Sequence, residues 1–148
     1  MLAYVFWHRP AAGIDAEEYE ARLRAFHETL GVVSAAYRLH QLPWRHEGGY
    51  EDWYLVEDWA ALGELNEAAV AAARRGEHDA AARLAASGWA GIWRLMRGVA
   101  EPPDGVRWQP AAPEDGETPY WQRQMTLGPA PEICVVEPTA AAGRERVV

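Results

Sequence analysis

Cysteine is almost missing from this chain of 148 residues: Cys134 is the one thiol. A lone cysteine excludes an intramolecular disulfide and any metal site built on several thiolates. Long apolar runs are missing too, since none approaches the ~20 residues that cross a bilayer, so no membrane association is expected. The first residues, MLAYVFWHRP, carry neither a basic n-region nor a small-residue cleavage site. No signal peptide is therefore expected, and a cytoplasmic location is the default. Basic charge is scarce: 14 Lys and Arg face 22 Asp and Glu, for a net charge of −8. An acidic surface repels phosphate backbones, which argues against nucleic acid as a partner. No nucleophile elbow, phosphate loop, dinucleotide glycine pattern or HExxH zinc motif occurs.

What remains is an ordinary globular composition, 49% apolar and 24% charged, of one-domain length. Eight tryptophans are spread along it, at 7, 44, 53, 59, 89, 93, 108 and 121. Such rings fill cores and subunit contacts, or line an aromatic cavity. The stretch 2–10, LAYVFWHRP, is apolar and aromatic until it turns polar and stops at Pro10. That profile fits a central strand buried on both faces. Alternation sends Leu2, Tyr4, Phe6 and His8 to one face and Ala3, Val5, Trp7 and Arg9 to the other.

Asp15 then caps a first helix over 16–30, with Glu18 completing a capping-box pattern. Tyr19, Leu23, Phe26 and Leu30 make its stripe, and Gly31 ends it. Alternation predicts strands over 33–42 and 50–57, joined across a loop with Gly48 and Gly49. Asp58 caps a second helix over 59–74, with Leu62, Leu65, Ala69 and Ala72 as its stripe. A further helical piece covers 78–86, and a fourth strand 90–97. The order βαββαβ is the ferredoxin-like unit. A right-handed crossover gives an antiparallel sheet in the order 4-1-3-2. The expected α+β fold places that domain at 1–98 and a loop and β-hairpin extension at 99–138, with strands near 106–109, 121–127 and 133–136. The small, polar end, 139–148, is expected to be disordered. Pro10-Ala11-Ala12-x-x-Asp15-x-Glu17 is echoed one hundred residues later by Pro110-Ala111-Ala112-x-x-Asp115-x-Glu117, by chance or as a decayed repeat.

With Trp7-His8-Arg9-Pro10 ending strand one and Asp58-Trp59 opening helix two, the chain over about 2–98 resembles the dimeric α/β-barrel superfamily, closest to its EthD-like and antibiotic-monooxygenase-like groups. The segment 121–132 (WQRQMTLGPAPE) looks like a motif of an uncharacterised bacterial branch. The resemblance implies a homodimer in which two sheets pack face to face, and members that include cofactor-free monooxygenases, isomerases and haem-handling enzymes. An open apolar sheet face asks for the same cover, a second subunit.

If the small, aliphatic faces (Ala3 and Val5 with Trp7, Ala35, Trp93) lie under the helices, the other faces line a cleft. That cleft would hold Tyr4, Phe6, His8, Arg38, His40, Tyr54 and Arg94 and suit a small aromatic or keto-acid metabolite. His8 is the candidate general base, because imidazole accepts protons near neutral pH. Arg38 and Arg94 would hold an anionic oxygen, and Tyr54 would orient the ligand. The bland alternative for His8 is a strand-terminating histidine with a satisfied hydrogen bond. His27 reads as a packing residue between helix and sheet. No metal site is assigned, although His8, His40 and Asp52 would make a two-histidine-one-carboxylate set. No cofactor is assigned either, with haem on His8 or His40 as the alternative. Cys134 reads as a small buried hydrophobe, and Arg123 and Glu132 as a pair across the last hairpin. The expected function is small-molecule binding, and the resemblance implies cofactor-independent monooxygenase or isomerase chemistry on that ligand. Its rivals are a non-catalytic dimeric module with a packed cleft and a haem-binding protein.

Overall fold

A computed structural model describes residues 1–71 and 75–148. Its elements in chain order are β1 (Leu2–Pro10), α1 (Ala16–Leu30), β2 (Ser34–Leu39), β3 (Gly49–Val56), α2 (Trp59–Val70), α3 (Arg75–Ala82), β4 (Ala85–Arg97), β5 (Gly105–Gln109), β6 (Tyr120–Leu127), β7 (Ile133–Glu137) and β8 (Arg144–Arg146). The end of the second predicted helix, with Ala72 on its stripe, falls at 72–74, outside the described residues. No helix among those described is long and apolar enough to cross a membrane.

All the strands belong to one antiparallel sheet in the order β5-β7-β6-β4-β1-β3-β2-β8, which curls into a nearly closed barrel. The curl is visible in the rings: Trp7 of β1 and Trp108 of β5 lie four places apart in the sheet, yet their centroids are 5.2 Å apart. This corrects the ferredoxin-like expectation of a four-stranded sheet in a dimeric α/β barrel. The neighbours β4, β1, β3 and β2 do lie side by side, but β6, β7 and β5 extend the sheet beyond β4 and β8 extends it beyond β2. Among the described residues the protein is mostly β, with three short helices.

The physical reason lies in the last third of the chain. Four prolines between 102 and 113 make that region read as loop, yet the short runs between them pair. β5 binds β7, and β7 binds β6. The tail expected to be disordered instead supplies β8, where Tyr37, Arg38 and Leu39 face Arg146, Glu145 and Arg144. Gly105 opens β5 where the Thr139 carbonyl oxygen would lie 2.0 Å from a Cβ, so no larger residue fits there without moving backbone. The echo at 115 is local geometry without a helix. Asp15 accepts from the backbone N–H groups of Glu17 and Glu18, and Asp115 from those of Glu117 and Thr118. Gly116 and Pro119 stop the second copy there.

Face assignment is the second correction. The odd-numbered face of β1 points into the barrel, and the helices cover the even-numbered one. Ala3, Val5 and Trp7 pack with Ala35, Tyr37, Trp53, Trp93, Trp121 and Cys134, a cluster with no helical member. Phe26 and Leu30 of α1 and Leu65 of α2 pack instead on Leu2, Tyr4, Phe6, Tyr54 and Ile92. All the tryptophans except Trp59 belong to the barrel interior or pack against it. The small residues that seemed to make room for helices make room for indoles. The face expected to lie open, with Tyr4, Phe6 and His8, is the one the chain's own helices cover.

Candidate functional site

Between α1, α2, α3 and the even-numbered face of the sheet lies a cavity of about 590 Å³. Pairing of β1 with β3 sets its floor by placing Tyr4 opposite Tyr54, Phe6 opposite Asp52 and His8 opposite Tyr50. α1 runs above. The Asp15 cap and the left-handed Gly31, at φ +69°, fix its two ends. Its i, i+4, i+8 row Tyr19, Leu23 and His27 then points down at the sheet and is buried. Leu62, Leu65 and Ala69 of α2 and Ala81 of α3 complete walls that are mostly apolar.

The floor is polar at one place. Asp52 is 2% exposed and draws three groups onto a single oxygen. The Tyr54 hydroxyl donates to Oδ2 over 2.8 Å, while Nε2 of His8 lies 3.1 Å and Nε2 of His27 3.6 Å from it. Each imidazole is held from behind: His8 Nδ1 meets the Tyr19 hydroxyl at 2.6 Å, and His27 Nδ1 meets the Ser34 hydroxyl at 2.9 Å. Two polar atoms of this cluster are nonetheless buried without a hydrogen bond, Oδ1 of Asp52 and Nε2 of His8. The 3.1 Å approach of Nε2 to the carboxylate is an electrostatic contact, too oblique for a hydrogen bond.

Burial alone would raise the Asp52 pKa. The electrostatic pull of His8 and the N–H donors that His27 and His8 bring up to it outweigh that burial and hold the carboxyl well below the usual range. The phenols go the other way, as burial first and the Asp52 charge second push Tyr19, Tyr54 and Tyr4 up. The site therefore presents a carboxylate among protonated phenols at neutral pH. A depressed folded-state pKa contributes stability that is complete above the unfolded value, about 4, and is lost as pH falls through the folded one. The stability advantage of the native chain over Asp52→Asn, read from urea midpoints, should accordingly persist down to about pH 5. It should shrink steadily below about pH 4.

Of the residues singled out from sequence, Tyr4, Phe6, His8 and Tyr54 line this cavity. The others are elsewhere. Arg38 stands at the β8 side of the sheet, paired with Glu145 opposite it and with Glu20 at 3.1 Å. His40 lies in the bend after β2, in the wall of a separate hollow of about 390 Å³ with Trp108 and Arg144. Arg94 pairs with Leu2, at the far end of β1 from His8, and is exposed. Among the described residues no arginine lines the cavity, and Arg38 and Arg94 do not meet there as the expected clamp on an anionic oxygen. Arg123 and Glu132 do pair, at 2.6 Å. Cys134 is buried, and burial raises its thiol pKa well above normal.

Among the described residues no set of three histidine, cysteine or acidic side chains is arranged to hold a metal ion. Of the two histidines named for haem, His8 lies in the cavity wall and His40 in the separate hollow, so they do not share a site. Sequence reasoning missed Tyr19 and His27 as members of the site. Their signal was the i+8 spacing through Leu23, which puts both on the buried stripe, and a buried histidine on a stripe needs a polar partner. No protein-family model, curated protein or solved structure matches the chain, so the site is read from its own chemistry.

Proposed function

We propose that the protein binds a small, flat, uncharged organic molecule with one oxygen at its polar end, in the cavity beneath the helices. The observation that carries this is the pair of unpartnered atoms, Asp52 Oδ1 and His8 Nε2, in the floor of an otherwise apolar space. A buried acceptor and a buried donor left open cost free energy that a ligand recovers by filling both. A hydroxyl does so in one atom: it donates to Oδ1 and accepts from the N–H of Nε2. The volume lies within the 300–1,000 Å³ typical of small-molecule sites, and Tyr4, Phe6 and Phe26 suit an aromatic body. The Asp52 carboxylate in the floor favours an uncharged ligand over a keto acid, whose own carboxylate it would repel. A fully packed cleft, the rival reading, describes the barrel interior on the opposite face of the sheet.

The test is titration of 2-naphthol against 2-methoxynaphthalene, which has the same outline without the donor, followed by the fluorescence of Trp59 in the cavity wall. The native chain should prefer the naphthol about 10- to 100-fold, the range of a hydrogen bond to a charged group. Asp52→Asn should lose most of that preference while keeping the weaker affinity for the ether. Equal affinities in the native chain, or no binding of either compound, would reject the reading.

A further inference from the structure

We infer that the Asp52–His8 pair enolises a ketone, with Asp52 Oδ1 as the base at the carbon beside the carbonyl and His8 Nε2 as the donor to the carbonyl oxygen. This rests on the binding reading above and assigns it a reaction and a substrate class, aryl-fused or aryl-substituted ketones.

The geometry supplies both partners that enolisation needs. His8 Nε2 is 3.1 Å from the Asp52 carboxylate, so a donor and a base stand side by side, as a carbonyl oxygen and its neighbouring C–H do in a ketone. The tautomer of His8 is set from behind. The Tyr19 hydroxyl lies 2.6 Å from Nδ1, and with that phenol donating to the nitrogen the proton of the neutral ring sits on Nε2. Asp52 is held in one orientation by Tyr54 and the two imidazoles gathered at Oδ2, which leaves Oδ1 free. His8 is thereby an electrophile, not the base expected from its side chain alone.

The step balances within the ligand and these two residues. The C–H bond next to the carbonyl breaks and its proton goes to Asp52 Oδ1. The bonding pair becomes the C=C of the enolate, and the carbonyl π pair moves onto oxygen, where the Nε2–H of His8 hydrogen-bonds it. Return of a proton from Asp52 to carbon restores the ketone. No electrons leave the ligand, so no oxidant, reductant or cofactor enters. The donors gathered at Oδ2 make Asp52 a weak base, so the gain comes from position and from stabilisation of the developing charge. Tyr19 is a positioning residue that acts through His8.

The experiment is hydrogen–deuterium exchange at C1 of 2-tetralone in D₂O, followed by proton NMR, with binding of the same compound measured by Trp59 fluorescence. The native chain should accelerate exchange at least about 100-fold over matched free histidine and acetate. Asp52→Asn should bind the ketone and exchange it at the background rate. Tyr19→Phe should lower the exchange rate at saturation about 10-fold, with the half-saturating concentration unchanged. Binding with equal exchange in the native chain and Asp52→Asn overturns the catalytic assignment and leaves the binding reading standing. Failure of 2-tetralone to bind overturns the ketone assignment, and failure of 2-naphthol as well overturns the binding reading.

Discussion

Arg144→Met should destabilise the protein by about 3–5 kcal/mol, the cost of stranding a buried charge. Glu51 is 0% exposed, and its carboxylate is neutralised inside the barrel by Arg144 Nη2 at 2.6 Å. Trp7 and Trp53 donate their indole N–H groups to the same carboxylate, at 2.8 and 2.6 Å. These neutral donors remain in the variant but cannot balance a full charge. Arg144 also joins the two ends of the sheet. It sits on β8 at one end, while its Nη1 donates to the carbonyls of Pro103 and Asp104, just ahead of β5 at the other. Its guanidinium lies over the Tyr37 ring, 3.2 Å from the centroid. The loss should appear as a lower urea midpoint. Glu51→Gln added to Arg144→Met should recover a large part of it, because the pair is then removed together. A single-variant loss below about 1 kcal/mol, the scale of a surface pair, would show that Arg144 does not close the barrel.

The local layer of this fold was legible and the global one was not. The strand at β1, the helix from Asp15 to Gly31 and the pairing of β2 with β3 follow from alternation, caps and turns, which act over a few residues. Parity was also legible: His8 and Trp7 do point to opposite faces. Which face the helices cover was not, because both faces of β1 are aromatic and each reads as core. Ala3, Val5 and Ala35 suggest a helix-packing surface only if the rings that fill the space above them are unknown, and those rings come from Trp93, Trp108 and Trp121 much later in the chain. In the proline-rich region after 101 the short strand at 106–109 was legible, but its place at the end of an eight-stranded sheet was not, for the same reason. A five-residue strand has little signal of its own and forms because β7 is there to receive it. The tail around Arg144 looked frayed because its partner, Glu51, is 93 residues away. In the site, Tyr4, Phe6, His8 and Tyr54 came from parity alone. Tyr19 and His27 required knowledge of which side α1 lies on, and the choice of Arg38 and Arg94 shows what parity without register yields.

Trp7→Ala should cost about 3–5 kcal/mol and leave 2-naphthol affinity within twofold of the native value. Trp7 is 0% exposed, and its ring meets those of Trp44, Trp93 and Trp108 edge-on at 5.0, 5.4 and 5.2 Å. Such pairs contribute about 0.5–1.5 kcal/mol each beyond the area they bury. Truncation opens a void that the surrounding indoles, with Trp93 and Trp108 fixed on strands of their own, cannot collapse into, and it takes one donor from Glu51. Trp7→Phe keeps part of the ring and should lie between the two. The next residue along, His8, faces the other way into the cavity, so the damage and the ligand are on opposite sides of one strand. A domain of this size has roughly 5–15 kcal/mol to lose, so the variant stays folded in the cold, where the titration is made. Urea midpoints that barely move would put Trp7 outside the core. A loss of affinity in step with the loss of stability would mean that the barrel interior and the helix-covered cavity are one cooperative site and not two faces of a sheet.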